Sequence, residues 1–209
     1  MQQVKKLLSL DPDKGELVLK LPTGETQEIQ DTHHMLGAEG SVYILIDCSG
    51  SMATVDKLEQ AKRGAVGFAQ DAHDKGYSVG IISFADEAQE ECRLTTDMGV
   101  VKRSVDGLMI DGTTNMTAAI SIATGKMNDM QDPRAMVIVT DGMPDDKQSA
   151  LWEAEKAKDM GITILTIGTD DADEEFLRQL SSGTDLAVKV SHEALEDAIT
   201  SSARLLPGG

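Results

Sequence analysis

The sequence predicts an α/β fold, an open and mostly parallel central sheet with one antiparallel edge strand and helices on both faces. Three observations predict it. From Ser41 onward, short apolar runs alternate with longer amphipathic stretches, the order expected of strands joined by helical crossovers. The runs at 42–46, 78–84, 135–139 and 162–167 are of strand length and rich in β-branched residues. A chain of 209 residues with 40% hydrophobic content can also bury one substantial core with short additions to it.

Residues 1–40 differ in character from the rest. Glu16-Leu17-Val18-Leu19-Lys20-Leu21 and Glu25-Thr26-Gln27-Glu28-Ile29 read as two short strands around the turn Pro22-Thr23-Gly24, a small N-terminal β-hairpin extension. The domain proper is expected at 41–206, followed by a flexible tail at 207–209. Its strands are the four runs above and a fifth at 186–190. A further strand at 88–94 follows 78–84 too closely for a helical crossover, so it should pair antiparallel as an edge, where Glu90, Glu91 and Arg93 are tolerated. Helices are expected at 55–75, where Leu58, Ala61, Ala65, Phe68, Ala69 and Ala72 keep a three-or-four spacing, and at 100–108, 114–127, 149–160, 173–180 and 194–205. The acids Asp170, Asp171, Asp173, Glu174 and Glu175 could suggest an ion site, but acidic residues in a first turn are what the helix dipole favours, and the structural reading is preferred.

Charge and composition remove several function classes. With 36 acidic against 19 basic residues the formal charge is −17, which repels a phosphate backbone, so a nucleic-acid partner is not expected. No segment approaches the roughly 20 consecutive apolar residues that span a bilayer, and no membrane partner is expected. Cys48 and Cys92 lie far apart without a secretory signal, which points to reduced thiols and a cytoplasmic location.

The chemistry concentrates where the first core strand ends. Ile46-Asp47-Cys48-Ser49-Gly50-Ser51 places three oxygen-bearing side chains at alternate positions just past a buried strand, and Gly50 permits the tight turn that gathers Asp47, Ser49 and Ser51 around one point. A carboxylate with two hydroxyls is a hard-oxygen set, suited to Mg²⁺, whereas zinc prefers His or Cys. Asp111-Gly112-Thr113-Thr114-Asn115 precedes a helix, and Val137-Ile138-Val139-Thr140-Asp141-Gly142 ends a core strand on a carboxylate. Each loop alone is an ordinary turn or cap; the three in this order are far more specific.

On these residues the chain resembles the von Willebrand factor type A (VWA) family, a Rossmann-like fold, across about 41–205. The family's metal-ion-dependent adhesion site (MIDAS) reads Asp-x-Ser-x-Ser, then Thr, then Asp. The resemblance implies a metal site of Asp47, Ser49, Ser51, Thr114 and Asp141, with Thr113 as the rival for Thr114 and the family's Thr-Asn order favouring Thr114. It implies Mg²⁺, with Mn²⁺ or Ca²⁺ as substitutes, and no catalytic activity. Neutral hydroxyl ligands leave positive charge on the ion, so the implied function is a protein-interaction module that binds an Asp or Glu of a partner. Stand-alone intracellular members suggest an AAA-type ATPase or another multi-subunit assembly as that partner.

Other readings compete with this one. Asp47 could serve a Mg²⁺-dependent phosphohydrolase or phosphotransferase as nucleophile, but such enzymes of the haloacid dehalogenase type want a second Asp two positions on, where this chain has Ser49. His33, His34, His73 and His192 show no ligand or triad spacing. Cys48 reads as a small buried residue pointing away from the ion. Met52, Met109, Met116, Met130 and Met143 could form an adaptable apolar rim, with core filling the heavier reading. The terminal Leu205-Leu206-Pro207-Gly208-Gly209 resembles the end of a conjugated modifier, although frayed Gly-rich ends are commoner.

Overall fold

The computed structural model describes residues 7–10, 17–20, 26–28, 40–130, 133–142 and 144–207. Contacts divide the chain into two units, Met1–Gly37 and Ala38–Gly209. In the first, β1 (Leu7–Leu10), β2 (Leu17–Lys20) and β3 (Thr26–Glu28) pair antiparallel in that order, with Leu8 opposite Leu19 and Val18 opposite Glu28. β2 and β3 are the expected hairpin, and β1 is an additional strand. Its run of Leu-Leu-Ser-Leu is too short to announce a period. The turn Pro22-Thr23-Gly24 lies outside the described residues, as do His33, His34, Met143, Gly208 and Gly209.

The second unit is built on β4 (Gly40–Asp47), β5 (Tyr77–Phe84), β6 (Ala88–Thr95), β7 (Arg134–Thr140), β8 (Thr163–Gly168) and β9 (Ala187–Lys189), in the order β6-β5-β4-β7-β8-β9. All neighbours run parallel except β6, which returns antiparallel on β5 across a bulged register. The sheet is therefore of the expected class, with the edge strand where the short connection demanded it. Six α-helices cover it: α1 (Lys57–Asp74), α2 (Met98–Asp106), α3 (Met116–Met127), α4 (Lys147–Asp159), α5 (Glu174–Leu180) and α6 (Leu195–Ser202). Among the described residues no helix is long and apolar enough to cross a membrane.

The pleat of β4 divides the core. Val42, Ile44 and Ile46 pack with Ala61, Ala65 and Phe68 of α1 and Ile199 of α6, while Tyr43 and Leu45 pack with Ile120 of α3, Ala154 of α4 and Phe176 of α5. Each large side chain so buried contributes about 1.5–3 kcal/mol, which makes this two-sided core the main support of the fold. α1 lies very close to α6, because a Cβ on Gly64 would stand 2.8 Å from Ile199 Cβ.

Helix ends differ from expectation for local reasons. α1 begins at Lys57 rather than at 55 because Val55 and Asp56 are left-handed, with φ of 46° and 63°. α3 begins at Met116, since Asn115 is its cap and accepts from the Ala118 amide. α4 begins earlier than expected because Asp146 caps it, and Asp97 and Asp173 cap α2 and α5. Part of the acidic excess is thus spent on helix starts.

Candidate metal centre

β4 and β7 are neighbours, yet the chain leaves β4 for β5 on one side and β7 for β8 on the other. The crevice beyond their carboxyl ends is where strand order reverses, the place where an open α/β sheet can seat a ligand. The register sets Ile46 opposite Val139, so the next residues, Asp47 and Thr140, meet there, and Thr140 Oγ1 donates to Asp47 Oδ2 at 2.6 Å. Asp47 Oδ1 accepts from the Ser49 amide at 2.9 Å. Asp47 is fully buried, and that desolvation pushes its carboxyl up to about 6 against the hydrogen bonds of Ser49 and Thr140, which pull it down.

Past Ser49 the chain turns through a 3-10 segment, Gly50–Asp56. Ser49 Oγ and Ser51 Oγ lie 3.1 Å apart, and Ser51 Oγ donates to Asp141 Oδ1 at 2.6 Å. Ser49 and Asp141 are buried while Ser51 is exposed, so the oxygen set opens to solvent at Ser51. The loop before α3 is fastened to this turn: the Asp111 amide donates to the Cys48 carbonyl at 2.8 Å and the Gly50 amide to the Gly112 carbonyl at 3.2 Å. Gly112 has a φ of 21°, and a Cβ there would collide with the Asp86 carboxylate, so glycine is needed for this approach.

Between the rival threonines, Thr113 is exposed and its hydroxyl donates to Asp145 Oδ2 at 2.8 Å. Thr114 is half-buried, and its amide donates to the same Asp145 oxygen at 3.3 Å. Asp47, Ser49, Ser51 and Asp141 therefore form one hydrogen-bonded set. Thr114 lies on the loop fastened to that turn, without a hydrogen bond to those four among the described residues.

One participant was not legible in the sequence. Lys57, the first residue of α1, is buried, and its Nζ donates to Asp141 Oδ2 at 2.7 Å and to Asp171 Oδ2 at 2.8 Å. Burial pulls the ammonium's pKa down, but the hydrogen bonds and charges of Asp141 and Asp171 outweigh it and raise the value. The Lys57 hydrogen bond in turn holds the Asp171 carboxyl below its ordinary value. Of the acids expected merely to open a helix, Asp173 does cap α5, whereas Asp171 reaches this centre and Asp170 accepts from the His192 amide at 3.2 Å.

The oxygens suit a hard divalent ion. Ligands at 2.0–2.1 Å in an octahedron stand about 3 Å apart along an edge, close to the Ser49–Ser51 separation of 3.1 Å. Among the described residues no group of three or more His, Cys, Asp or Glu side chains offers a metal site, so any ion here depends on hydroxyls. Cys48 belongs to the apolar core, and burial pushes its thiol up to about 12, which keeps it from nucleophilic work. Met52 and Met116 are core residues, and Met109, 78% exposed, lies at the surface beside the loops.

A family profile described as the von Willebrand factor type A domain matches residues 41–201. The chain is 26% identical over 155 residues to the thrombospondin-related anonymous protein of Plasmodium falciparum, covering 68% of this chain and 28% of that protein. It spans only that fraction of the relative's length. Among solved structures, the vWF domain of the type V pili tip protein Mfa5 from Porphyromonas gingivalis superposes with a TM-score of 0.73 at 13% identity, covering 83% of this chain and 98% of that one. Proximal thread matrix protein 1 from the mussel byssus, with its MIDAS motif occupied by zinc, gives a TM-score of 0.66 at 18% identity, covering 80% of this chain and 46% of that one. With strand order, site loops and profile in agreement, the chain belongs to the von Willebrand factor type A domain family.

Proposed function

We propose that this domain is a protein-interaction module that binds a divalent cation, Mg²⁺ in the cell, and uses it to hold an Asp or Glu carboxylate of a protein partner. The observation that carries this reading is the pair of hydroxyls on Ser49 and Ser51, one octahedral edge apart, with Asp141 accepting from Ser51 behind them. Ser49, Ser51 and Thr114 would hold the ion directly, and Asp47 and Asp141 would accept hydrogen bonds from those hydroxyls or from bound water. When bound, the ion supplies a positive acceptor for an oxygen ligand at the exposed end of the set. Two neutral hydroxyls leave much of its charge uncompensated, and that favours an anionic oxygen from outside.

The geometry favours this over phosphotransfer by Asp47. A nucleophilic carboxylate must present an oxygen to its substrate, whereas Asp47 is fully buried with one oxygen on Thr140 and the other on the Ser49 amide. An AAA-type ATPase or another multi-subunit assembly remains our proposal for the partner, resting on family resemblance. A cytoplasmic location is likewise proposed, supported by two free, buried thiols, Cys48 and Cys92; recovery of the protein in the surface or secreted fraction overturns it.

Thermal unfolding with and without Mg²⁺ or Mn²⁺ tests the metal. A ligand at one hundred times its Kd should stabilise the fold by about 2.7 kcal/mol, and Asp47→Ala with Ser49→Ala should remove that rise. A wild-type protein indifferent to both metals at millimolar concentration sinks the reading. Pull-down from native extract in Mg²⁺ against EDTA, with Asp141→Ala as control, tests the partner.

A further inference from the structure

Three unfavourable features converge on Lys57. Its side chain is only 5% exposed, although lysine is among the residues least often buried. It stands at the N-terminus of α1, where the helix dipole disfavours a cation. The chain reaches it through Val55 and Asp56, both left-handed, a conformation that strains a β-branched residue in particular. Its ammonium is nevertheless held by two carboxylates, at 2.7 Å from Asp141 and 2.8 Å from Asp171. Asp141 has its other oxygen on Ser51, so a single carboxylate joins the ammonium to the hydroxyl set.

We propose that Lys57 sets the charge of the metal centre, offsetting Asp141 so that a bound divalent ion keeps positive charge for an incoming carboxylate, at the expense of ion affinity. The inference rests on the metal-binding reading above. Asp47 and Asp141 alone would neutralise a dication; Lys57 offsets Asp141 within the buried set and returns positive charge to it, while the balancing charge of Asp171 sits on an exposed carboxylate that solvent screens. Asp171, whose side chain is 70% exposed, tethers the ammonium from the outer side. A lysine serving only to fasten α1 to the sheet needs no such link to Ser51 through Asp141.

Lys57→Met keeps the length of the side chain and removes its charge. Mn²⁺ affinity is measured by water-proton relaxation, and the affinity of the Mn²⁺-loaded protein for acetate by titration, with unfolding curves to confirm the fold. Lys57→Met should bind Mn²⁺ about tenfold more tightly and acetate about tenfold more weakly, opposite movements that lost packing does not produce. Lys57→Arg should return both towards wild type. Asp171→Asn, at an exposed carboxylate, leaves the ammonium to Asp141 alone and should weaken Mn²⁺ binding about threefold without weakening acetate binding; it supplies the test if Lys57→Met does not fold. Wild-type protein that binds no Mn²⁺ overturns both the metal reading and this one. Wild-type binding with unchanged or weaker Mn²⁺ affinity in folded Lys57→Met, or with tighter affinity in Asp171→Asn, overturns this inference alone.

Discussion

Asp47→Asn is expected to stabilise the metal-free domain at neutral pH while abolishing its response to Mg²⁺. Burial lifts the Asp47 carboxyl from 3.8 to about 6. At 1.36 kcal/mol for each tenfold change in proton affinity, the ionised form costs the fold about 3 kcal/mol relative to the protonated one. The folded state binds this proton more tightly than the unfolded state. The favourable contribution is therefore complete below about 3.8, declines as the pH rises, and is gone above about 6. Asparagine keeps an oxygen for the Ser49 amide and cannot ionise, but its amide must find Thr140 Oγ1 as an acceptor, and neutral hydrogen bonds are weaker than charged ones. A net gain of about 1–2 kcal/mol follows, or roughly 3–6 °C in Tm for a domain of this size. Urea or thermal unfolding in EDTA between pH 4 and pH 8 reads it. The advantage of the variant should vanish towards pH 4, where the wild type is itself protonated. A variant less stable than wild type at pH 7, or a difference that does not change with pH, would refute the reasoning.

Gly112→Ala should destabilise the domain by about 2 kcal/mol, because its Cβ meets the Asp86 carboxylate at a φ of 21°, and should weaken the Mg²⁺-dependent rise in Tm as the Thr114 loop shifts. Alkaline titration followed by phenolate absorbance should show neither tyrosine ionising near pH 10: burial pushes Tyr77 up to about 12, and Tyr43, buried and donating to Glu90, is raised further still. Absorbance that develops at pH 10 while the far-ultraviolet spectrum stays native would contradict this. Asp146→Ala removes the cap that accepts from the Ser149 amide at 3.0 Å and should cost about 1 kcal/mol in urea unfolding without altering Mn²⁺ affinity.

The sheet was legible because its strands are buried on both faces, so that 42–46 and 135–139 read as apolar runs, and because the short 85–87 connection left no room for a crossover. β1 and the start of α1 were not. β1 offers only four residues of pattern, and the left-handed conformation of Val55 is opposed by the residue's own propensity, so nothing local predicts it. Within the site, the gathering of Asp47, Ser49, Ser51 and Asp141 followed from strand ends and alternation. Lys57 and Asp171 were missed for a different reason: they lie 114 positions apart and meet only because α1 and the β8–α5 connection converge on the same end of the sheet. The Asp-rich stretch after Thr169 carries two roles only two positions apart, a helix cap at Asp173 and a tether at Asp171, and composition cannot separate them.

The two buried carboxylates of the site are held by different means, and the difference suits them to different parts. Asp47 receives only dipoles, from the Thr140 hydroxyl and the Ser49 amide, so its charge is solvated but not cancelled. Asp141 receives a full cation from Lys57 as well as the Ser51 hydroxyl. A dication held by the neighbouring hydroxyls would relieve the uncompensated charge of Asp47 far more than the already paired charge of Asp141. On the proposed function, the hydroxyls would hold the ion directly and Asp47 would supply most of the electrostatic gain on binding. Asp141 with Lys57 governs how much positive charge the ion still shows to a partner. Because the desolvation penalty of Asp47 would fall as the ion binds, the fold would be stabilised by the same event that prepares the site, and a partner's carboxylate would meet a domain already stabilised by its metal.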